Sequence, residues 1–525
     1  MNIIDNLTDI LKRSLELSAK ELEVENLPEV IIEVPKDRRL ADLSTNVAMQ
    51  VCKLNKGMKP LEVAGIILDK IKSEIKADKI ESYFEKLEVK PPGFINFYLS
   101  NYSLQNIITQ IQTSGPKFGM QKPKSDKKVL IEFVSANPTG PLSVAHGRQA
   151  AVGDALANIL EFVGYSVKRE YYLNDEGNQI LLLGKSIHAR YCELLGETTP
   201  FPEQGYRGRY IYDIAKEIVE KRGTSHTGWD SNTEKLFCSY GVESILSIIK
   251  KDLDDFGVHF DNYFSQAALT KSGNIEKAVS ALKDKGYIYE KDNAVWFESI
   301  KFGDDKDRVI KKSDGSYTYV TPDIAYHEDK FKRGFNWLID LWGPDHHGYI
   351  SRIKSASLAF GRDAEALSLL IVQLATLSRA GKPVRMSTRE GEFITLREVI
   401  DEVGKDVARF FFLVRRKDSH LDFDLELAKK ESMDNPIYYI QYAHARICGI
   451  LEYKRSQKIE VKKADNLSLI NTEEELNILR ILREFPDVIN WSAQNLEPHR
   501  VITYLMELAG SFHHFYNKHR VVGDD

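Results

Sequence analysis

The feature that most constrains this chain is an apolar run followed by a Gly- and Pro-rich loop and a helical pattern, between Val129 and Val163. Residues 129–134 are almost continuously apolar, with one carboxylate at Glu132, as expected for a parallel strand buried on both faces. The loop from Ser135 to Pro141 contains residues that allow a tight backbone path. Apolar residues then recur at helical spacing. This order predicts an α/β fold with a parallel sheet.

The start of the predicted helix is suited to an anion. A strand, a loop and a helix in this order point free backbone N–H groups and the positive end of the helix dipole at the space above the sheet edge. His146 and Arg148 lie near this helix start. The same pattern also fits an ordinary strand–loop–helix unit with one solvated histidine, and spacing alone does not decide between the two interpretations.

Length and charge indicate several domains and no overall nucleic-acid signal. A chain of 525 residues suggests three or four domains, at about 150 residues per domain. Its 72 basic and 77 acidic residues leave a net charge of −5, so any RNA-binding surface must be local. The scattered cysteines form no CxxC pair, which favours a reducing, cytoplasmic setting without a disulfide framework or a zinc site. No stretch is apolar enough to predict secretion or membrane insertion.

Local patterns divide the chain into three parts. Residues 1–112 mix helices and strands and predict a compact α+β domain, and the Lys-, Pro- and Gly-rich stretch to Lys128 predicts a linker. Residues 127–395 hold the parallel sheet with an insertion at about 198–270, and residues 396–525 are almost entirely helical in pattern. Other predicted elements are strands at Val30–Val34, Lys86–Lys90, Phe94–Leu99, Tyr165–Leu173 and Trp337–Trp342, a hairpin over Tyr287–Phe297, and a helix over Ala41–Cys52.

Two segments resemble the signatures of one family. SANPTGPLSVAHGR is similar to the signature loop of class I aminoacyl-tRNA synthetases in the variant of arginyl-tRNA synthetases, and Asn137-Pro-Thr-Gly-Pro141 is its specific part. The usual His-[Ile/Val]-Gly-His is reduced to Ser143-Val-Ala-His146. Arg385-Met-Ser-Thr-Arg389 stands in the place of Lys-Met-Ser-Lys-Ser, although by itself it would be a basic surface loop. The resemblance covers essentially the whole chain in family order.

The resemblance implies a Rossmann-like parallel-sheet catalytic domain, an N-terminal α+β domain that contacts the elbow of the tRNA, and a C-terminal all-α anticodon-binding domain. Without it, the N-terminal stretch from Lys36 to Arg39 would be a solvated charge run. The implied activity is ligation of L-arginine to tRNA(Arg) through an arginyl-adenylate, with ATP and its bound Mg²⁺ as substrate. A monomer is expected. Relatives usually continue for a few helical turns beyond Asp525, so this end is expected to be truncated.

Adenylate formation needs positioned donors and cations more than a nucleophile. His146 can donate to a phosphoryl oxygen, and Ser143 offers one O–H in the place of the first histidine. Thr388 replaces the second lysine, so Arg385 and Arg389 are expected to carry that charge, because a guanidinium binds phosphate bidentately. Ser387 is the remaining catalytic candidate. The resemblance implies ATP contacts at Pro138, Gly140, Ala145, His146, Gly147, Gly343, Asp345, His346 and Met386.

The guanidinium of arginine needs planar acceptors. By resemblance, Asp323 accepts from it and Tyr319 stacks or donates nearby. A second acidic family position falls on Gln266, which accepts hydrogen bonds but carries no charge. The adjacent His346 and His347 lack a third ligand in the sequence, so no protein-bound metal is predicted. The other residues implied near the amino acid are Glu132, Ser135, Asn137 and His347.

Near the C-terminus, Tyr439 and Tyr442 share a helix face. Such tyrosines are ordinarily core residues, but by resemblance they face the anticodon loop, where splayed bases stack on aromatic rings, with Arg446 nearby. Departures from the family pattern leave a second reading open, a non-catalytic tRNA-binding paralogue. A nucleotidyltransferase with the same sheet would not explain the terminal domains. The departures are Ser143, Ala145, Gln266 and Thr388.

Overall fold

The computed structural model describes residues 3–35, 37–54, 57–379, 382–383, 394–458 and 466–522. The chain divides into two compact units, each built from separate segments. The first unit comprises Met1–Phe118, Ala443–Pro486 and Glu507–Asp525. The second unit comprises Gly119–Tyr442 and Asp487–Met506.

The first unit is built on a small antiparallel sheet. Its elements up to residue 118 are α1 (Ile3–Ser18), β1 (Leu43–Thr45), α2 (Val47–Leu54), α3 (Pro60–Ala77), β2 (Phe84–Lys90), β3 (Phe94–Leu99) and α4 (Asn101–Ser114). The strands are ordered β1-β3-β2. The apolar face of α1, with Leu7, Ile10 and Leu11, is fully buried in the core of this unit. Leu476 and Leu479, from near the other end of the chain, belong to the same core.

Charged contacts also join the N-terminal segment to the later segments of the first unit. Arg38 donates to both carboxylate oxygens of Glu484, at 2.7 and 2.9 Å, and to Glu507 at 2.7 Å. The interpretation of this stretch as a solvated charge run is therefore wrong for Arg38, whose side chain is 25% exposed. It holds for the neighbouring Arg39, which is 90% exposed and pairs with Asp37.

Some local predictions in and after this unit are wrong. The predicted strand Val30–Val34 forms an isolated bridge between Glu33 and Ser44 in place of a strand. The predicted helix Ala41–Cys52 begins only at Val47, because residues 43–45 pair with β3, and this tertiary pairing outweighs local helix preference. The end of the predicted linker, from Lys124 onward, is already strand.

The second unit contains the remaining strands and most of the remaining helices. They are β4 (Lys124–Glu132), α5 (Val144–Phe162), β5 (Tyr165–Leu173), α6 (Asn178–Leu194), α7 (Arg209–Arg222), α8 (Ser231–Asp255), β6 (Asn262–Ser265), α9 (Gln266–Lys271), α10 (Asn274–Asp284), β7 (Ile288–Lys291), β8 (Ala294–Phe297), β9 (Arg308–Lys311), α11 (Val320–Lys332), β10 (Trp337–Trp342), α12 (Ile350–Ala359), β11 (Leu367–Ile371), β12 (Ala375–Arg379), β13 (Lys382–Pro383), α13 (Leu396–Val403), α14 (Lys405–Leu413), β14 (Leu421–Asp424) and α15 (Leu425–Lys429). Three further helices contribute residues to both units: α16 (Pro436–Ser456), α17 (Glu473–Asn495) and α18 (His499–Lys518).

The centre of the second unit is a five-stranded sheet in the order β11-β10-β4-β5-β6, with all neighbours parallel. Ile131 in β4 lies opposite Ile339 on one side and Arg169 on the other. The chain passes from β4 to β5 and β6 on one side, and returns to β10 and β11 on the other. This reversal between β4 and β10 makes a switch point, where a crevice opens at the carboxyl ends of the strands. The predicted Rossmann-like fold is confirmed.

Two glycines let α5 pack closely between its neighbours. A Cβ at Gly153 would lie 2.2 Å from the ring of Phe133, so α5 sits directly on the end of β4. A Cβ at Gly147 would lie 2.7 Å from Leu396 Cδ1 and 3.1 Å from the ring of Phe412. Both substitutions would force a displacement, because protein interiors are close-packed.

Two small sheets complete the second unit. The predicted hairpin over Tyr287–Phe297 is confirmed by the antiparallel pairing of β7 with β8, and β9 adds a third strand. The other sheet has the order β13-β12-β14, and β14 pairs in parallel with β12. The part of the chain after residue 395 is thus not entirely helical, because β14 belongs to a sheet.

Candidate active site at the carboxyl edge of the sheet

The loop after β4 turns sharply at its first residues. The strand ends at Glu132, and Val134 and Ser135 adopt φ values of 68° and 39°. This left-handed region is rare for a β-branched residue. The predicted strand Val129–Val134 therefore ends two residues too late, and it also begins five residues too late. Ser135 Oγ donates to Glu132 at 2.9 Å and accepts from the backbone N–H of Tyr172 at 3.0 Å, which holds the turn in place.

The histidine of the signature loop lies in the first turn of α5. The backbone N–H of Ser143, the N-cap residue, donates to His146 Nδ1 at 3.1 Å. An Nδ1 that accepts leaves the proton of the neutral ring on Nε2. Burial lowers the pKa of His146 to about 4, partly opposed by Asp345. At neutral pH His146 is thus an uncharged Nε2–H donor.

Side chains from other elements hold the signature loop. Asn137 Nδ2 donates to Gln179 Oε1 at 2.7 Å, and Tyr210 Oη donates to the carbonyl of Thr139 at 2.8 Å. A Cβ at Gly140 would lie 2.9 Å from the same Tyr210 hydroxyl. Gln179 stands in the polar stretch after β5, a position at which a ligand-facing loop is expected. No local pattern marks Tyr210, which comes from the insertion.

Arg148 does not add a cation to the anion site that its position near the helix start suggested. Its side chain is fully buried. The guanidinium donates to the backbone carbonyls of Gln373 at 2.7 Å, Ser419 at 2.9 Å and Arg416 at 2.9 Å. Burial lowers its pKa to about 10, so it stays charged. Arg148 therefore joins α5 to the segments that directly precede β12 and β14.

A buried network of charges lies under the carboxyl ends of β4 and β10. Lys330 Nζ donates to Glu132 at 2.5 Å and to Asp340 at 2.8 Å. Burial alone would lower the pKa of Lys330, but Asp340 and Glu132 raise it to about 12. His327 contacts Asp340 through Nε2 at 2.7 Å and the backbone carbonyl of Asp323 through Nδ1 at 2.7 Å. Both nitrogens of His327 thus face acceptors, and Lys330 joins Glu132 and Asp340 in the same hydrogen-bonded network.

Asp323 lies beside this network, since its backbone carbonyl contacts His327 and its carboxylate is influenced by the same charged groups. Among the described residues its carboxylate accepts no hydrogen bond, and burial raises its pKa to about 6. The phenol of Tyr172 lies nearby: burial raises its pKa, and the carboxylates of Asp323, Glu132, Glu176 and Asp175 raise it further. Several carboxylates therefore converge on this ring, as a cationic ligand requires. Tyr319, predicted to stack there, is 88% exposed at the start of α11.

Gln266 belongs to the same pocket. It accepts from the hydroxyl of Tyr172 at 2.9 Å, and its amide nitrogen donates to Glu176 Oε1 at 2.9 Å. Glu176 is not among the site residues predicted from the sequence. Its place in the polar stretch Asn174-Asp-Glu-Gly-Asn-Gln179, directly after β5, was the available signal.

The segment after β10 is exposed. Asp345 and His346 lie in a short 3-10 turn with 3.4 Å between His346 Nε2 and Asp345 Oδ2. Asp345 acts electrostatically to raise the pKa of His146, which indicates that this segment lies near the signature loop. His347 lines a cavity of about 550 Å³ together with Ser351 and Lys354. No hydrogen bond joins His347 to the acidic pocket within the described chain.

Residues 384–393, which include Arg385, Met386, Ser387, Thr388 and Arg389, lie outside the described residues. The chain that follows them reaches the signature loop. Thr395 forms an antiparallel bridge with Ser143, and the N–H of Leu396 donates to the carbonyl of Leu142 at 2.8 Å. Thr395 and Leu396 thus lie beside the N-cap of α5.

The predicted tRNA contacts lie on α16. Tyr439 and Tyr442 are both half-buried. Tyr442 stacks on Tyr438 with ring centroids 5.8 Å apart. Arg446 contacts His513 Nδ1 at 2.9 Å, and its guanidinium lies 4.6 Å from the ring centroid of Tyr516. No described helix is long and apolar enough to cross a membrane, and no cluster of three or more potential metal ligands is found in the described chain.

Three families match successive parts of the chain. Residues 3–99 match "Arginyl tRNA synthetase N terminal domain", residues 107–434 match "tRNA synthetases class I (R), catalytic domain", and residues 440–525 match "DALR anticodon binding domain". The switch-point crevice and the catalytic-domain match place the protein among the class I aminoacyl-tRNA synthetases.

Similarity to named relatives narrows the assignment from this class to one family. An Arginine–tRNA ligase of Staphylococcus epidermidis is 46% identical over all of this chain and 94% of its own length. One from Citrifermentans bemidjiense is 48% identical over 94% of this chain and 89% of its own length. A structure titled putative arginyl-tRNA synthetase from Campylobacter jejuni has a TM-score of 0.75 at 36% identity, covering 81% of this chain and 93% of its own. The chain belongs to the arginyl-tRNA synthetase family.

Proposed function

We propose that this protein ligates L-arginine to tRNA(Arg) through an arginyl-adenylate, consuming ATP and releasing AMP and pyrophosphate. The observation that carries the proposal is the acidic pocket around Asp323 at the sheet switch point, on the chain that also places a neutral histidine donor at the start of α5. An acidic pocket fits the guanidinium and α-ammonium of arginine, and the helix start fits the phosphates of ATP.

In the activation step the carboxylate of arginine attacks the α-phosphorus of ATP, the bond to the pyrophosphate oxygen breaks, and the chain supplies position and charge compensation. His146 Nε2–H donates to a phosphoryl oxygen as negative charge builds there. Ser143 supports it by fixing Nδ1 as the acceptor. The other ATP contacts in this proposal are Pro138, Gly140, Ala145, Gly147, Gly343, Asp345 and His346.

Arginine is oriented by the groups around β4 and α11. Glu132, Ser135 and Asn137 hold its α-ammonium end, and Asp323 accepts from the guanidinium, with Tyr319 and His347 nearby. Mg²⁺ enters as part of the ATP substrate. Arg385, Ser387, Arg389 and Met386 act on the ATP phosphates, and the guanidinium groups neutralise the leaving pyrophosphate. Lysine is a poor substrate, because its ammonium would leave acceptors unpaired at about 1–3 kcal/mol each.

The tRNA contacts belong to the same proposal. Tyr439, Tyr442 and Arg446 face the anticodon loop, and the N-terminal part at 1–112 contacts the tRNA elbow. The catalytic-domain match runs to residue 434 and supports placing residues 396–434 with the catalytic part. The proposal therefore moves the predicted domain boundary between 127–395 and 396–525. A monomer in the cytoplasm, where tRNA and ATP are available, completes the proposal.

Arginine-dependent exchange of pyrophosphate into ATP, with and without tRNA, tests the proposal. Exchange with arginine and none with lysine is the expected result. A protein that binds tRNA(Arg) but shows no exchange under either condition would instead be the non-catalytic paralogue, a reading that the relatives named Arginine–tRNA ligase do not support.

A further inference from the structure

The position at which a second acid would be expected in the guanidinium pocket carries an amide. Gln266 uses both ends of that amide within the pocket: Oε1 accepts from the hydroxyl of Tyr172, and Nε2 donates to Glu176 Oε1, each at 2.9 Å. Neither group of the amide offers a negative charge to a ligand. The position therefore connects two neighbours and does not hold a cation by itself.

The carboxylate of Glu176 is fixed through one oxygen. Oε1 accepts from Gln266 and from Thr270 Oγ1, the latter at 2.6 Å. Oε2 has no hydrogen-bond donor among the described residues. A carboxylate with one oxygen held and the other available is oriented before a ligand arrives, which reduces the entropy cost of binding.

The backbone that carries Glu176 is also held. The preceding residue, Asp175, accepts from Ser265 Oγ at 2.6 Å and from the N–H of Ala267 at 2.9 Å. These contacts tie the turn after β5 to the chain on both sides of Gln266. Glu176 is half-buried, so screening by solvent is reduced there.

The hydrogen bonds of the pocket leave few carboxylates for the guanidinium. Lys330 bonds to both Glu132 and Asp340, and His327 bonds to Asp340. In the described chain no basic side chain is hydrogen-bonded to the carboxylate of Asp323 or of Glu176. Tyr172 connects the two, since its hydroxyl is bonded to Gln266 while its ring lies within the electrostatic reach of both carboxylates.

We infer that Glu176 is the second acceptor for the guanidinium of arginine, opposite Asp323, and that Gln266 is a positioning residue that orients Glu176. The inference rests on the proposed function, because it names a specificity determinant of the same pocket. It also explains how this chain keeps two acidic acceptors although position 266 is uncharged.

The test is the substitution Glu176→Gln, which keeps the shape and the acceptor at Oε1 but removes the charge. Loss of one charged hydrogen bond is expected to raise the KM for arginine in pyrophosphate exchange by about 10- to 100-fold, with the KM for ATP unchanged. The Kd for arginine, measured by calorimetry on the full chain without ATP, should rise by the same factor. Glu193→Gln is the matched control, since Glu193 lies on α6, is 58% exposed and pairs with Arg190.

Exchanging the charge between positions 176 and 266 gives a second test. Gln266→Glu alone would bring two carboxylates together and should not tighten binding, whereas the double variant Gln266→Glu/Glu176→Gln restores one charge and one amide and should recover most of the arginine affinity. An unchanged Kd and KM in Glu176→Gln, or no recovery in the double variant, would overturn the inference. Wild-type protein that binds arginine but shows no exchange would instead overturn the proposed function while leaving the binding test intact.

Discussion

At the scale of single residues, the site depends on protonation states that neighbours impose. Ser143 fixes the tautomer of His146, and burial keeps that ring neutral. Burial also weakens the acidity of Asp323, while Lys330 is held charged by the carboxylates around it. In the proposed function these three effects separate a neutral donor for phosphate, His146, from an acidic receptor for a cation around Asp323.

His146→Ala is expected to lower the rate of adenylate formation by about 10²–10³-fold, because one donor to the phosphoryl transition state is lost. His146→Gln, which keeps a neutral N–H donor, should lose less. Pyrophosphate exchange measures the rate of adenylate formation. The Kd for tRNA should stay constant in both variants. Equal losses in rate and tRNA affinity would show that His146 acts on structure.

Arginine binding should weaken as the pH falls through about 6. Burial raises the pKa of Asp323 to about 6, so below that pH the group is a neutral acid, while the guanidinium remains charged. The KM for arginine is expected to be constant above pH 7 and to rise by up to about tenfold per unit below pH 6. Asp323→Asn should bind weakly and lose this pH dependence. A wild-type KM for arginine that stays constant from pH 5 to 8 would contradict this prediction.

Arg385→Ala and Arg389→Ala should each slow activation, since their cations would face the leaving pyrophosphate in a closed site where screening is weak. The effect should exceed the roughly 0–1 kcal/mol of an exposed ion pair. Thr388→Lys in either background should restore part of the rate of pyrophosphate exchange. Full activity of the double alanine variant would assign this charge to Mg²⁺, His146 or the tRNA.

At the scale of elements, the position of α5 decides where the His146 donor lies relative to the sheet. Gly153 brings this helix against Phe133 at the end of β4, and Gly147 brings it against α13 and α14. Arg148 adds four carbonyl contacts from the same helix. The helix is thus held from three directions, and the N-cap region with His146 is held with it.

Gly153→Ala should destabilise the second unit by about 1–3 kcal/mol, because the added methyl meets the ring of Phe133 at 2.2 Å and overpacks the core. Gly65→Ala is the control: Gly65 lies within α3 with no atom within 4 Å of the added Cβ, and alanine there should stabilise by about 0.5–1 kcal/mol. Thermal unfolding of the two variants should shift in opposite directions. Parallel shifts would refute the packing argument.

At the scale of the whole molecule, segments far apart in sequence share one core. The first unit combines the N-terminal domain with segments that follow residue 443. Leu476 and Leu479 belong to that core. Arg38 and Arg480 form charged contacts that also join N-terminal residues to the later segments. The net charge of −5 gives no sign of an RNA partner, so the tRNA surface must be a local one.

Arg38→Gln should destabilise the first unit by about 1–3 kcal/mol, because Glu484 would keep a mostly buried charge without its bidentate partner. The neighbouring Arg39→Gln should leave the melting temperature unchanged, since that side chain is 90% exposed. Thermal unfolding and limited proteolysis of the two variants compare a buried with an exposed ion pair. Equal melting temperatures would show that the Arg38 pairs contribute nothing net.

The sequence by itself determined the parallel sheet, the loop with His146 and the family, because these depend on local apolar runs, turn residues and motif spacing. Strands Tyr165–Leu173 and Trp337–Trp342 have the predicted bounds for the same reason. Only the tertiary structure decided that Arg148 binds backbone carbonyls of distant segments, that Lys330 joins Glu132 to Asp340, and that Glu176 accepts a hydrogen bond from Gln266. The contacts of Gln266 with Glu176, of Lys330 with Glu132 and of Arg148 with Arg416 join residues 90, 198 and 268 positions apart. The burial that sets the pKa values of His146 and Asp323 likewise exists only after the chain has folded.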